Sequence, residues 1–412
     1  MTLPFFASPS DRIVRARQRY FEEGILPTGL VSDAIFQSWM RCYRSRRQPH
    51  DKVEFQPVSV SRSHLAVQKN RELLDAWLGE LPEIGNALGS THCSAVLTDA
   101  SGVLIGLTPL RPTEQRIIPI AHRLGVNLSE EHVGTTAPGI VVRTGKPASV
   151  LGAEHYYDSV SAMFCTAAPI RDVHGKLAGI LDFSSEARPF HFDPAAVVGF
   201  YAAAIENRLL LSQARGHLVI KFQFTPVLIE SPMVGMVAFD ESGKLLWVNT
   251  AASHLLGIAV SPEERSDHHV AAILNGSYAQ LASLHGRGCV AWRLSSGLQV
   301  HLKCELQGAG GRLLSPAVYA GDAIAAGMTP VTPNAKVVAS PLAFAQPVEH
   351  ADGGTYLPPN SLKEADADLI RKYLSECKGN LSCVARKLKV SRGLVYRRLR
   401  ELAIDLESYK KK

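Results

Sequence analysis

The residues best suited to chemistry lie in the last part of the chain, where arginine and lysine are concentrated. Residues 371–400 contain ten Lys or Arg and one acidic residue, Glu376, which gives a local charge of +9 in a chain of net charge +6. Side chains of this kind attract the phosphates of nucleic acids, and arginine also forms paired hydrogen bonds with guanine. The pattern therefore predicts binding to DNA.

Helix signals divide this basic segment into three short helices. Ser361 and Glu364 predict a capping box at the start of the first helix, and Gly379 supplies the left-handed residue that ends it. Asn380 and Ser391 are the predicted caps of the second and third helices. Two short helices with a tight turn predict a helix-turn-helix, and the alternative is a basic three-helix cap on another domain.

The stretch GNLSCVARKLKVSRGLVYRRL, residues 379–399, resembles the Fis-type helix-turn-helix of bacterial enhancer-binding regulators. By that resemblance Ser391, Arg392, Leu394 and Arg397 face the bases or the groove. Basic residues beside them are expected to hold phosphates, which position the protein without reading sequence. The predicted DNA-binding residues are Lys387, Lys389, Ser391, Arg392, Gly393, Leu394, Tyr396, Arg397, Arg398 and Arg400.

The bulk properties of the chain set its class. Its 412 residues predict two to four domains, and a hydrophobic content of 46% is sufficient for packed cores. We find no apolar run of eighteen residues and no secretion signal, which favours a cytoplasmic protein. The seven cysteines are scattered without CxxC spacing, so we expect reduced thiols that are mostly small core residues.

One pattern occurs three times: an apolar run, Asp-x-x-Gly and a second apolar run, at residues 95–106, 168–183 and 236–249. Each copy predicts a β-hairpin in which Asp bonds to the turn backbone and Gly adopts positive φ. Helical stretches separate the copies. The interpretation is a set of α+β sensor modules with antiparallel sheets.

Residues 30–215 resemble a GAF domain of the variety found in acetoin-catabolism-type regulators. The sequence segments that carry this resemblance are SWMRC at 38–42, NRELLDAW at 70–77, residues 127–156, and MFCTAAPIRDVHGKLAGILDFS at 163–184. Thr136 departs from the family, which commonly has asparagine there. The resemblance implies a pocket for a small metabolite such as a ketol, a diol or an aromatic compound.

The predicted pocket lies between the sheet and residues 128–165. Its candidate ligand-binding residues are His132, Glu154, His155, Tyr156, Tyr157, Met163 and Cys165. Each has a structural alternative, in which Glu154 and His155 cap a loop and Met163 and Cys165 belong to the core. A redox role for Cys165 requires a lowered thiol pKa.

The remaining segments complete an α+β multidomain fold class. Residues 1–90 are predicted as a helical N-terminal region, in which apolar residues at helical spacing predict helices over 33–47 and 71–88. Residues 91–215 are predicted as the GAF-like sensor and 222–316 as a PAS-like domain, which the hairpin at 236–249 opens. Residues 317–360 are a predicted flexible linker and 361–406 the helix-turn-helix domain. The basic run RCYRSRR at 41–47 is interpreted as a solvated helix end, with a second DNA contact as the alternative.

The resembled regulators normally carry an ATPase module before the Fis-type helices, and this chain has no signature of one. None of its Gly-Lys pairs has the glycine spacing and following Ser or Thr of a phosphate-binding loop, and no loop for engaging sigma-54 is evident. We find no catalytic or metal motif, so we expect no enzyme activity, no cofactor and no metal site.

The predicted function is a ligand-responsive DNA-binding transcriptional regulator without ATPase activity. A homodimer is expected on a palindromic operator, with contacts through residues 194–212 and 362–374 and with RNA polymerase as a further partner. The alternative is a signalling adaptor that binds a partner regulator and binds DNA nonspecifically.

Overall fold

The computed structural model describes residues 9–109, 115–214, 216–261 and 268–306, and toward the C-terminus residues 371, 373–377, 379–387, 399, 404 and 409. The chain divides into two units, residues 1–325 and 326–412. The predicted linker at 317–360 lies outside the described residues, as does nearly all of the third helix of the helix-turn-helix.

Four helices lie within residues 9–90, the part of the N-terminal region that the structure describes. They are α1 (Pro9–Arg17), which continues into a π-helical turn at Gln18–Glu22, α2 (Asp33–Arg44), α3 (Val60–Lys69) and α4 (Arg71–Leu88). The apolar spacing predicted both α2 and α4, since Ile35 and Trp39 in α2 and Leu73 and Trp77 in α4 are buried. These helices supply core residues to the first sheet.

The first sheet is antiparallel, with five strands in the order β2-β1-β5-β4-β3. Its strands are β1 (Cys93–Asp99), β2 (Leu104–Leu107), β3 (Ala148–Leu151), β4 (Met163–Arg171) and β5 (Leu177–Glu186). Between β2 and β3 lie the short helices α5 (Ile118–Ala121), α6 (Glu130–Val133) and α7 (Ala137–Thr144). Because helices pack on both faces, most residues of these strands are buried.

Each face of this sheet has its own core. Leu97, Leu181 and Phe183 belong to the cluster that also contains residues of α4 and of α8 (Pro194–Gln213). Cys165 and Ala167 face the other way, into the cluster that contains residues of α2 and α7. The alternation of side chains along β4 and β5 thereby divides the two faces.

The second sheet is also antiparallel, in the order β8-β7-β6-β10-β9. Its strands are β6 (Leu218–Gln223), β7 (Gly235–Phe239), β8 (Leu245–Val248), β9 (Val290–Arg293) and β10 (Gln299–Leu306). One face packs against α9 (Thr250–Leu256), α10 (Val270–Leu274) and α11 (Tyr278–Ala282). The sheet begins at Leu218, upstream of the predicted PAS-like boundary at 222.

All three predicted hairpins are confirmed by strand pairing of β1 with β2, β4 with β5, and β7 with β8. In the first hairpin Asp99 Oδ1 accepts the backbone N–H groups of Ser101 and Val103 at 2.8 and 2.9 Å. Asp172 and Asp240 act in the same way in the other two hairpins. The turn glycines Gly102, Gly175 and Gly243 all have positive φ.

Helix α8 joins the two sheets through polar as well as apolar contacts. Glu206 is 2% exposed, and its carboxylate accepts the N–H of Arg171 beside the first sheet and that of Thr250 at the start of α9, at 3.0 and 2.9 Å. Asn207 accepts a hydrogen bond from the Asn249 amide at 2.8 Å. Satisfied buried polar groups of this kind fix a single packing arrangement.

Among the described residues, α8 is long and apolar enough to cross a membrane, by length and composition alone. Its apolar positions have partners within the unit, since Val198, Ala202, Ile205 and Leu209 pack in the core of the first sheet. Leu210 and Ala214 pack against the second sheet. The predicted dimer contact through residues 194–212 would have to use the exposed side of the helix, which includes Phe200.

In the C-terminal unit the described residues match the predicted start of the helix-turn-helix. Gly379 has φ +73, and Asn380 Oδ1 accepts from the N–H of Cys383 at the start of the helix Leu381–Lys387. Leu381, Val384 and Ala385 are buried, together with Leu374 and Leu399.

The prediction of reduced cysteines is wrong for one pair, because Cys377 and Cys383 form a disulfide with Cα atoms 5.9 Å apart. The left-handed turn at Gly379 brings the end of one helix back beside the first turn of the next, which the sequence separation alone did not reveal. Cys42, Cys165 and Cys304 are buried free thiols, as expected, whereas Cys289 is exposed.

Candidate functional site

A cavity of about 30 Å³ lies on the α5–α7 side of the first sheet. Most of its lining is apolar, and its polar groups are two histidines, an aspartate, a serine, a threonine and a cysteine. The lining residues are Phe55, Ile117, Ala121, His122, Leu128, Val133, Thr136, Pro138, His155, Val160, Met163, Cys165, Asp182 and Ser184. An apolar cavity with a few placed polar groups is typical of a small-molecule site.

Both histidines of the cavity are neutral. His155 is 1% exposed, and burial lowers its pKa to about 4. Its Nδ1 lies 2.9 Å from the carbonyl oxygen of Gly152. Burial likewise lowers the pKa of His122 to about 4, and its Nδ1 lies 2.9 Å from Ser94 Oγ. The imidazoles therefore supply hydrogen-bonding atoms without charge.

Asp182 is the acidic group of the cavity. It projects from β5 and is 1% exposed, and burial raises its pKa to about 7, an effect that a hydrogen bond with Ser184 partly offsets. The Ser184 hydroxyl lies 2.6 Å from Asp182 Oδ2 and 3.3 Å from Cys165 Sγ. Near neutral pH this carboxyl group exchanges between its ionised and protonated forms.

Three of the seven predicted ligand-binding residues line the cavity: His155, Met163 and Cys165. The thiol pKa of Cys165 is raised well above its ordinary value by burial and by Asp182, which disfavours a reactive thiolate there. The redox role considered for Cys165 thus lacks the lowered pKa it requires.

The other four predicted residues lie outside the cavity lining. His132 is exposed and its Nδ1 lies 2.9 Å from Ser129 Oγ, while the Glu154 carboxylate accepts from the N–H of Leu151. The Tyr156 hydroxyl donates to the carbonyl of Arg47 at 2.6 Å, and Tyr156 and Tyr157 belong to the core around α2. Glu154 therefore caps a loop, and Tyr156 and Tyr157 pack in the core, so their contacts fit a structural role and not ligand binding.

The sequence did not single out His122, Asp182 or Ser184. The sequence ILDFSSE could have indicated two of them. Successive side chains of β5 point to opposite faces of the sheet, so Asp182 and Ser184 share one face and Phe183 lies on the other. A carboxyl group inside such an apolar strand is the unusual feature. The departure at Thr136 has a structural role, because its Oγ1 accepts from the N–H of Gly139 and caps α7.

Arginines of the N-terminal region hold the two loops that wall the cavity. The guanidinium of Arg17 donates to the carbonyls of Ala153, His155 and Tyr156, at 3.2, 2.7 and 3.1 Å. Arg41 binds both carboxylate oxygens of Glu130 at 2.7 Å. These bonds connect α1 and α2 to residues on either side of the pocket.

The basic run at 41–47 therefore differs from both sequence interpretations. Arg41 and Arg47 bind within the chain, since Arg47 donates to the carbonyls of Glu130 and Glu131, whereas Arg44 and Arg46 are exposed. Fixed internal partners for two of the four arginines disfavour a second DNA contact formed by the whole run.

Replacing Arg41 with alanine is expected to destabilise the N-terminal unit by about 2 kcal/mol. The Glu130 side chain is 6% exposed, and losing its paired guanidinium leaves a buried carboxylate uncompensated. Urea unfolding followed by circular dichroism measures the change. Arg44→Ala, on the exposed side of the same helix, is the matched control, and equal losses in the two variants would contradict the role of the pair.

Lys387 is the one predicted DNA-binding residue among the described positions of the C-terminal unit. Its Nζ lies 2.5 Å from Glu376 Oε2 and 5.6 Å from the centroid of the Tyr373 ring. Both partners of this ion pair are substantially exposed, so the pair is weak and open to exchange for a phosphate. The other nine predicted DNA-binding residues lie outside the described part of the chain.

Two family models match separate parts of the chain. Residues 8–205 match the family model described as the MimR N-terminal domain. Residues 361–402 match the model described as bacterial regulatory protein, Fis family. The relatives that share the first of these regions are named as transcriptional regulators or activators.

The relatives that the chain resembles include two proteins named as regulators of acetoin use. No AAA+ domain family was found. The acetoin catabolism regulatory protein of Cupriavidus necator is 28% identical over 262 residues, which are 60% of this chain and 38% of that protein.

The propane 2-monooxygenase operon transcriptional activator MimR of Mycolicibacterium smegmatis is 28% identical over 206 residues, 49% of this chain and 34% of that one. The chain thus spans about a third of the length of the curated relatives it matches. Among solved structures, the E. coli DhaR(N)–DhaL complex has a TM-score of 0.42 at 13% identity, over 66% of this chain and 99% of that one.

Proposed function

We propose that this chain is a ligand-responsive transcriptional regulator, in which a small molecule in the first-sheet cavity controls DNA binding by the Fis-type helices. The observation that carries the proposal is a cavity with unpaired buried polar atoms in a chain that also matches the Fis-type family. The relatives that share the N-terminal domain are named as regulators and activators of catabolic operons.

Two sets of contacts support a route from the cavity to the rest of the unit. Ligand binding alters the wall residues that Arg17 and Arg41 hold, and so acts on α1 and α2. The strand that carries Asp182, β5, also packs against α8. In α8 the Glu206 carboxylate accepts a hydrogen bond from the N–H of Thr250, at the start of α9. In a homodimer, such a shift changes how paired helix-turn-helix units address the two half-sites of a palindromic operator.

The proposal includes the absence of ATP hydrolysis. Between the two family matches, residues 218–261 and 268–306 form an antiparallel sheet with short helices. The sequence between the matches contains no phosphate-binding loop. We infer that the regulator acts in the cytoplasm by occupying its operator and contacting RNA polymerase. Steady ATP turnover by the purified chain would contradict this part.

Genome-wide mapping of bound DNA tests the proposed function. The expected result is a small set of enriched sites that share an inverted repeat. Binding spread over the genome without a shared sequence, with affinity that falls steeply with salt, would instead support the adaptor alternative, because nonspecific binding is dominated by counterion release.

A further inference from the structure

One pair of cysteines lies across the turn that joins two helical segments of the C-terminal unit. Cys377 follows the helical residues 373–376, and Cys383 lies in the first turn of the helix Leu381–Lys387. The two form a disulfide with Cα atoms 5.9 Å apart, a separation that such a bond spans without movement of the backbone. The bond therefore joins the helix Leu381–Lys387 to the segment that precedes it.

Local hydrogen bonds bring the two cysteines together without help from distant segments. Gly379 has φ +73, and its N–H donates to the Leu374 carbonyl at 2.9 Å. The N–H of Asn380 donates to the Cys377 carbonyl, also at 2.9 Å, and the Asn380 side chain accepts from the Cys383 N–H at 3.3 Å. Because the sequence separation is only six residues, the two thiols of a reduced chain stay close enough to form the bond again.

The same two segments are joined a second time by Lys387. This lysine lies four residues after Cys383, on the same face of the helix. Its Nζ lies 2.5 Å from Glu376 Oε2 and 5.6 Å from the centroid of the Tyr373 ring, both on the segment that ends at Cys377. Exposed ion pairs contribute little, so the disulfide is the stronger of the two connections.

The disulfide is open to exchange with small thiols at one of its sulfur atoms. Cys383 is partly exposed whereas Cys377 is 8% exposed, so an external thiolate reaches Cys383 Sγ first. The buried free thiols compete poorly, because burial raises the pKa of Cys42 to about 11 and that of Cys304 to about 12. In a reducing compartment, a disulfide of this kind is usually transient and regulatory.

We propose that Cys377 and Cys383 form a reversible thiol–disulfide site through which low-molecular-weight thiols regulate the DNA-binding unit. A small thiolate attacks Cys383 Sγ, which breaks the bond to Cys377 and releases the Cys377 thiolate. A second small thiolate attacks the other sulfur of the mixed disulfide, which forms a small-molecule disulfide and releases the Cys383 thiolate. Two small thiols thus give two electrons and two protons to the protein, and the reverse sequence restores the bond.

The bond is expected to favour the DNA-binding fold, because the core around it is small. Among the described residues of the C-terminal unit, the buried members of this core are Leu374, Cys377, Leu381, Val384, Ala385 and Leu399. A small core gives little stability, and a disulfide restricts the unfolded chain. Reduction therefore lowers the folded fraction of the helix-turn-helix, and operator affinity falls in proportion. This second input goes beyond the proposed function, and only its effect on operator affinity rests on that function.

Equilibration of the full chain in glutathione buffers of varied thiol-to-disulfide ratio tests the site. After acid quenching and alkylation, mass spectrometry measures the fraction of chains in which Cys377 and Cys383 are cross-linked. This fraction should rise smoothly as glutathione disulfide replaces glutathione, and fall again when the ratio is reversed. A pair that stays reduced at every ratio, or stays oxidised at every ratio, would overturn the proposal.

Hydrogen exchange on the same samples measures the structural effect. Amides of the helix Leu381–Lys387 should exchange about tenfold faster in the reduced chain. Cys383→Ser should exchange at the faster rate in every buffer. Cys289→Ser, which removes an exposed free thiol of the other unit, should keep the dependence on glutathione.

Equal exchange in the oxidised and reduced forms of the unmodified chain would contradict the regulatory effect. A dependence on glutathione that persists in Cys383→Ser would assign it to another thiol and contradict the site. The measurements on the unmodified chain decide the matter even if Cys383→Ser does not fold.

The two proposals fail separately. A chain that binds its operator equally well in both redox states contradicts the regulatory effect alone. A chain that shows the reversible disulfide and the change in exchange, but no specific DNA binding, contradicts the proposed function alone.

Discussion

Replacing Arg392 and Arg397 with alanine should abolish site-specific DNA binding. By the Fis-type resemblance both residues are predicted to face the groove, and each paired contact between arginine and guanine contributes roughly 1–3 kcal/mol of discrimination. Two such losses bring operator affinity close to the level of nonspecific binding. Fluorescence anisotropy with an operator duplex and a shuffled duplex measures the difference.

The control for this double variant is Lys389→Ala, at a predicted phosphate contact. It should weaken binding to both duplexes alike and reduce the salt slope by about 1, without changing their ratio. The sensor unit should unfold as in the unmodified chain, because residues 1–325 form a unit separate from the substituted residues. Unchanged operator preference in the double variant would contradict the assigned recognition helix.

Replacing Asp182 with asparagine should change how the stability of the sensor unit depends on pH. In the native chain the pKa of Asp182 is raised to about 7 by burial, whereas an unfolded aspartate has a pKa of about 3.8. The native state therefore keeps a proton that the unfolded chain loses. The contribution of this group to stability is intact at low pH and is lost as pH rises from about 4 to about 7.

The size of the effect follows from the same two pKa values, which set an upper limit of roughly 4 kcal/mol. Asparagine carries no charge, so the variant should gain stability relative to the unmodified chain by a large part of this amount between pH 4 and pH 8. Urea unfolding at several pH values measures it.

Two other features make this comparison interpretable. His122 and His155 also have shifted pKa values, but they are present in both proteins and cancel in the difference. Asp75→Asn, at an exposed position, is the matched control and should give a curve parallel to that of the unmodified chain. A parallel curve for Asp182→Asn as well would show that its carboxyl titrates normally.

The local structure of the hairpins could be predicted from sequence because their determinants are close together. Asp99 and Gly102 specify a turn through a side-chain bond and a positive φ within four residues, and the same spacing works at the other two hairpins. The helix bounds of α4 followed from apolar periodicity in the same way.

The pocket could be predicted only in part, because its groups come from distant segments. His155 was predicted as a ligand-binding residue because it lies in residues 127–156, which resemble the GAF family. Asp182 was missed because its strand has the apolar sequence of an ordinary core strand. The contacts of Arg17 and Arg41 join residues about 90 to 140 positions apart, and no local pattern specifies them. Tyr156 and Tyr157 were proposed for their aromatic character, which serves core packing equally well.

The most direct test of the account is a footprint of the full chain on a DNA fragment that carries a candidate operator. The account predicts two protected half-sites in inverted orientation, with centres about one helical turn apart, and no protection with the Arg392→Ala, Arg397→Ala variant. Uniform protection regardless of sequence, unchanged in that variant, would contradict it.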